Sequence, residues 1–179
     1  LTGEENGLVG LWKFDAGEGE ILYDHSGNAN HGDINGASWA VSLTYVPDDN
    51  FEQALIDLGY DDVLDDYVVT DSISWITYLN VNNDSISDLT GIEDFTALTT
   101  LKCQDNQLTS LNISNNTALS ILHCRRNQLT TLDPSNNLFL QDLDASQNDL
   151  DSIDLAANDL LISLGLDNNE LTAVTGVNN

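Results

Sequence analysis

Residues 119–140 read LSILHCRRNQLTTLDPSNNLFL, and the stretch is written twice over. Its first half spaces Leu119, Leu122 and Asn127 as its second half spaces Leu129, Leu132 and Asn137. The same phrase recurs along the chain at a constant step: Leu101, Leu122, Leu143 and Leu164 form one column, Asn106, Asn127, Asn148 and Asn169 a second, and Leu108, Leu129, Leu150 and Leu171 a third. An earlier copy, Leu79-x-Val81-x-x-Asp84-x-Ile86, stands one slightly longer step ahead, which makes about five copies with the last cut short. A further asparagine column, Asn116, Asn137 and Asn158, marks the second half of each copy. Self-similarity at such a period is the signature of a stacked-repeat architecture.

Each half reads as one short strand and one turn. Leu, Ile, Val and Cys recur at period two and point inward, while polar residues between them point outward. Asparagine suits the turns because its side chain bonds nearby backbone groups. No copy can bury its leucines alone, but stacked copies bury them in one continuous column. Residues 76–179 are therefore expected to form a mostly β solenoid of short parallel strands. The pattern resembles the bacterial leucine-rich repeats of about 21 residues, LxxLxCxxNxLxxLxLxxN. That resemblance implies a surface-exposed or secreted solenoid used for adhesion or ligand binding.

Two features depart from the plain pattern or add to it. Pro134 occupies a strand position that is Ile113 and Leu155 in the neighbouring copies, so the second strand row should be weak or broken there. Cys103 and Cys124 share one inward column in adjacent copies. They read either as a disulfide or metal pair, or as two buried free thiols acting as small apolar residues. Parallel strands hold such side chains side by side at about 4.8 Å, a poor disulfide geometry. The resemblance, in which this position is a cysteine, points to the thiols as well.

Ahead of the repeats, residues 47–59 (PDDNFEQALIDLG) read as one helix. Pro47 and Asp48 suit its start, Asp49 and Glu52 its positive end, and Gly59 its stop. Phe51, Leu55 and Leu58 lie on one face. Segment 46–75 is the expected cap over the first coil and resembles the region that precedes such repeats in secreted bacterial proteins. Asp57, Asp61, Asp62, Asp65 and Asp66 follow the helix. Calcium is the natural ion for such oxygens, but there is no DxDxDG loop and no ligand-spaced Glu, so a solvated acidic turn is the plainer reading.

Segment 1–45 is a different module. Residues 8–14 alternate like a strand, 24–32 form a turn-rich loop, and 37–39 open another strand. The phrase GLVGLWKFD…DHSGNANHG resembles the opening of laminin-G-like, concanavalin-A-like sandwich domains, of which only the first two or three strands are present. Sugar-binding activity does not carry over, because it resides largely in strands absent here. Asp24, His25 and His31 read as a weak metal set or, more plainly, as a loop braced by side-chain hydrogen bonds.

Thirty acidic residues stand against four basic ones, a net charge of −26. Phosphate recognition runs on Lys and Arg, so nucleic acid is excluded as a partner, and anionic membrane surfaces with it. The charge fits either simple solubility or a setting of salt and divalent ions. No apolar run approaches the ~20 residues of a membrane span. The chain holds no Met and opens on Leu1, as a trimmed segment of a longer chain would, with any signal peptide already gone. Only three His are present, with no nucleophile, acid–base or phosphate-binding motif, so no enzymatic activity is expected.

The outward positions give the binding reading a locus. One column is Asn80, Lys102, His123, Asp144, Gly165, the next Asn82, Gln104, Arg125, Ser146, Asp167, and the next Asn83, Asp105, Arg126, Gln147, Asn168. Lys102, Arg125 and Arg126 gather there beside His123, Gln104 and Asp144. They read as charge balancing against Asp105, Asp142 and Asp144, or as a spot that receives a carboxylate, a sulfate or an acidic protein surface. The expected partner is a protein or polysaccharide outside the cell or at its surface, with copies of this chain as another class. The other readings are a self-assembling filament subunit with open solenoid ends and a non-catalytic targeting module of a secreted enzyme.

Overall fold

The computed structural model describes residues 41–176 and the backbone of two short strands ahead of them, β1 (Ile21–Leu22) and β2 (Gly32–Asp33), paired antiparallel. Lys13, Asp24, His25, His31 and most of the laminin-G-like phrase lie outside the described residues. The chain divides into two compact units between Val41 and Ser42. Leu43–Tyr45, grouped on sequence with the first segment, belongs with the cap. As strand β3 it pairs antiparallel with β4 (Tyr67–Val69), Thr44 opposite Val68.

The cap helix α1 spans Asp49–Asp57, shorter at both ends than the expected 47–59. Its N-cap is Asp48, whose carboxylate accepts from the amides of Asn50 and Phe51 and, through its other oxygen, from the amides of Ser87 and Asp88 and the Ser87 hydroxyl. One side chain thus starts the helix and ties it to the first coil. Glu52 is buried, and its Oε1 accepts the amides of Asp65 and Tyr67, folding the acidic turn back over the helix. A four-residue helix α2 (Thr70–Ile73) leads into the repeats.

The repeats form one five-stranded parallel sheet in the order β5 (Tyr78–Asn80), β6 (Thr100–Lys102), β7 (Ile121–His123), β8 (Asp142–Asp144), β10 (Ser163–Gly165). Leu79, Leu101, Leu122, Leu143 and Leu164 stand in one register. The first four are fully buried, each contributing roughly 1.5–3 kcal/mol of hydrophobic stabilisation. Asn106, Asn127 and Asn148 are buried in the turns. Each Nδ2 donates to a carbonyl of its own coil and one of the coil before, and Oδ1 of Asn127 accepts from Leu108 N. Asn116, Asn137 and Asn158 also bridge coils, but each Nδ2 donates to two carbonyls of the coil before. These bonds satisfy backbone carbonyls that a short strand cannot pair.

The second strand row is interrupted, and further than Pro134 alone predicts. Only β9 (Ser152–Asp154) and β11 (Ala173–Thr175) pair, and residues 110–112 and 131–133 are not strands. Leu155 N donates to Thr175 O at 2.9 Å. The equivalent bond one coil earlier is closed to Pro134, which has no N–H.

Cys103 and Cys124 are fully buried free thiols. Burial raises both, with Asp144 adding to Cys124, which is pushed up to about 12, and Cys124 adding to Cys103.

Candidate binding face on the parallel sheet

On the sheet's solvent side the strand register sets three rows of side chains running across the coils, about 4.8 Å from coil to coil. The first is Tyr78, Thr100, Ile121, Asp142, Ser163, and the second Asn80, Lys102, His123, Asp144, Gly165. The third, just past the strands, is Asn82, Gln104, Arg125, Ser146, Asp167. The expected outward columns are therefore adjacent on one face. Tyr78 was not singled out on sequence, although it lies two positions before Asn80 and period two puts both on the same side. It is half exposed, and Lys102 Nζ lies 5.8 Å from its ring centroid.

The turn after each strand repeats a backbone detail. Asn83, Asp105, Arg126, Gln147 and Asn168 all have φ between 54° and 63°. Asn and Asp tolerate this left-handed conformation, whereas a long side chain rarely adopts it. Arg126 accordingly leaves the row of Arg125: its guanidinium reaches Asp105 Oδ1 at 3.1 Å and Gln147 Oε1 at 2.8 Å.

The bases and acids brought together here pair unequally. His123 Nε2 meets Asp142 Oδ2 at 2.9 Å. Burial pushes the Asp142 carboxyl up, but hydrogen bonds from His123 and Ser163 and the charges of His123 and Lys102 outweigh it and hold it below its usual value. Asp144 Oδ1 is taken by the amide and hydroxyl of Ser146, at 3.1 and 2.7 Å. It leans over Gly165, where a Cβ would come within 2.8 Å of that oxygen. Among the described residues Lys102 and Arg125 enter no ion pair. Arg125 Nε and Gln104 Oε1, neighbours in the third row, are both buried without a hydrogen-bond partner.

The acidic turn does not assemble. Asp65 Oδ1 accepts from Tyr67 N, and Asp66 adopts φ 69° with its carbonyl accepting from Val46 N. Burial and the nearby charges of Glu52, Asp62 and Asp65 outweigh a backbone hydrogen bond and raise Asp61. Among the described residues no group of three or more His, Cys, Asp or Glu is placed to hold a metal ion, and Asp61, Asp62, Asp65 and Asp66 are no exception. No described helix is long and apolar enough to cross a membrane. Apolar side chains are also exposed away from this sheet face, among them Leu43, Tyr45, Tyr67 and Val69 on the β3–β4 pair, Val63, Leu64 and Trp75 in the cap, and Leu138, Phe139, Leu160 and Ile162 in the outer turns.

No family model matches the chain. Over 72 residues it is 36% identical to Internalin J of Listeria monocytogenes, a match covering 40% of this chain and 8% of that protein. The solved functional domain of InlJ from the same species, described as including a cysteine ladder, superposes with a TM-score of 0.67 at 35% identity, over 74% of this chain and 30% of that one. The internalin inlF, at 20% identity and a TM-score of 0.59 over 71% of this chain and 45% of that one, shares the fold. The chain thus spans under a tenth of the curated relative and under a third of the solved InlJ domain. Parallel coils in single register give the chain the fold of a leucine-rich-repeat solenoid, and in sequence and structure it is similar to internalins.

Proposed function

We propose that this chain is a non-catalytic protein-binding module, working outside the cell or at its surface, that takes its partner on the sheet face of β5 to β8. The observation that carries this reading is the solvent-facing row from Tyr78, half exposed, to the partly exposed Thr100, Ile121 and Asp142, with Lys102, His123 and Arg125 beside it. In a chain of net charge −26 this face holds Lys102 and Arg125, two of the four Lys and Arg residues, with Arg126 in the turn beside it. Nothing in the packing requires them, because Leu101, Leu122 and the asparagines carry the coils. Exposed polar and aromatic residues on a rigid scaffold are the usual substance of a recognition surface. The likeness to internalins supports a binding role. Polysaccharide as ligand, filament formation and service to a secreted enzyme have no comparable residue-level observation behind them.

The test is photo-crosslinking in the native extracellular setting, with a benzophenone amino acid at Thr100 on the sheet face and, separately, at exposed Thr131 away from that sheet. A discrete protein adduct from position 100, lost when wild-type chain is added as an untagged competitor and retained when the competitor carries Thr100→Trp, is the expected result. Equal adducts from both positions, or a Thr100→Trp protein that competes as well as wild type, would overturn the assignment of the face.

A further inference from the structure

Resting on that reading of the face, we infer that its partner presents a carboxylate-bearing peptide segment, and that Arg125 is the seat, kept vacant for it by Ser146 and Gly165. An arginine flanked by aspartates in neighbouring coils ordinarily finds one of them. Here Asp105, Asp142 and Asp144, the acids of the two flanking coils on this face, each meet another partner. Asp105 is held by Arg126, which the left-handed turn aims across the coils at it. Asp142 is held by His123. Asp144 is drawn to Ser146 at 2.7 Å and lies over Gly165, where any side chain would displace it. Within its own row Arg125 has only the neutral neighbours Gln104 and Ser146, and its Nε is buried without a partner.

A guanidinium left unpaired in so acidic a molecule is a strong donor waiting for an acceptor. Planar carboxylates match its fork bidentately, which a point charge such as lysine cannot reproduce. Lys102, one coil back and over the Tyr78 ring, supplies the second positive charge, and the aromatic ring beside it offers an apolar contact. The occupant is therefore acidic at Arg125 and Lys102. Its own charge does not keep it away: at ~0.15 M salt the screening length is about 8 Å, so the nearest groups decide.

The probe is an acetylated, amidated hexaglutamate peptide titrated into the whole chain at 0.15 M salt, with the Arg side-chain Nε–H signals followed by NMR. Hexalysine and a heparin hexasaccharide serve as the comparison arms. The Arg125 Nε signal is expected to move with the peptide and not with hexalysine. Arg125→Gln should weaken binding about tenfold or more, as loss of a charge-assisted hydrogen bond does, Lys102→Gln by roughly threefold, and Arg126→Asn, which frees Asp105 to compete for Arg125, several-fold. Ser146→Ala, which releases Asp144, should shift the Arg125 signal without peptide and weaken the peptide several-fold, about what one new exposed ion pair competes for. An Arg125→Gln protein that binds hexaglutamate as tightly as wild type would overturn Arg125 as the seat. Heparin binding tenfold tighter than hexaglutamate would replace the carboxylate peptide by a sulfated glycan. No binding of either probe would overturn the anion seat altogether. In that event crosslinking at Thr100 still reads the face itself, so the two failures are separable.

Discussion

At the scale of single residues the inward leucine column and the turn asparagines are the costly positions. Leu122→Ala should destabilise by roughly 2–5 kcal/mol, since a fully buried leucine in a stacked column leaves a cavity its neighbours cannot close. Asn127→Ala should cost about 1–3 kcal/mol, less than the leucine, because it strands Leu108 N without a partner and leaves the carbonyls of Cys103 and Cys124 with only the Asn106 and Asn148 amides. Urea melts of both beside exposed Thr130→Ala check the register: a smaller loss for Leu122→Ala than for Thr130→Ala contradicts it. The cysteines give a chemical check. With Cys124 pushed up to about 12 and both thiols buried, iodoacetamide at neutral pH should leave the native chain unmodified and alkylate both after unfolding.

Among the elements, the hinge between cap and repeats is the vulnerable one. Burial acts to raise Asp48, but its bonds to Ser87, Phe51 and Asp88 prevail and hold it below its usual value. A carboxyl lowered by folding adds stability above its unfolded value, near 4, and loses that contribution as pH falls through the folded value. Asp48→Asn should therefore melt well below wild type at pH 6, with the gap narrowing at pH 3. A gap independent of pH means that shape and not charge holds the cap. Gly91 is the other joint. With φ 102° and a Cβ position 2.8 Å from Tyr45 O, it lets β3 approach the first coil. Gly91→Ala should cost more than about 1 kcal/mol, from backbone strain plus displacement of β3, read as a lower urea midpoint with an unchanged slope.

For the whole molecule the governing quantity is charge. A net −26 repels itself in the folded state more than in the expanded one. Sodium chloride should raise the melting temperature until screening saturates, and a melting temperature that falls with salt contradicts this. Calcium is the informative comparison. An effect far beyond that of sodium chloride at equal ionic strength would show specific ion binding that the arrangement of acids in the turn after α1 does not provide.

The architecture was legible in residues 101–171, because a column of leucines repeated at fixed spacing leaves one way to bury them all. So were the buried thiols, the weak second row at Pro134 and, to within a fraction of a turn at each end, the cap helix. The state of the basic spot was not. Sequence put Lys102, His123, Arg125 and Arg126 on one face with Asp142 and Asp144, but which base meets which acid depends on side-chain direction and turn geometry. The left-handed φ of Arg126 sends it to Asp105, and the missing Cβ of Gly165 lets Asp144 turn to Ser146. Strand β3 joined the cap because its partner, β4, lies beyond the whole of α1 and pairs through backbone groups that carry no sequence mark. Periodicity determines which residues are inside. Pairing among those outside is settled by ångström differences in reach, which only the folded chain fixes.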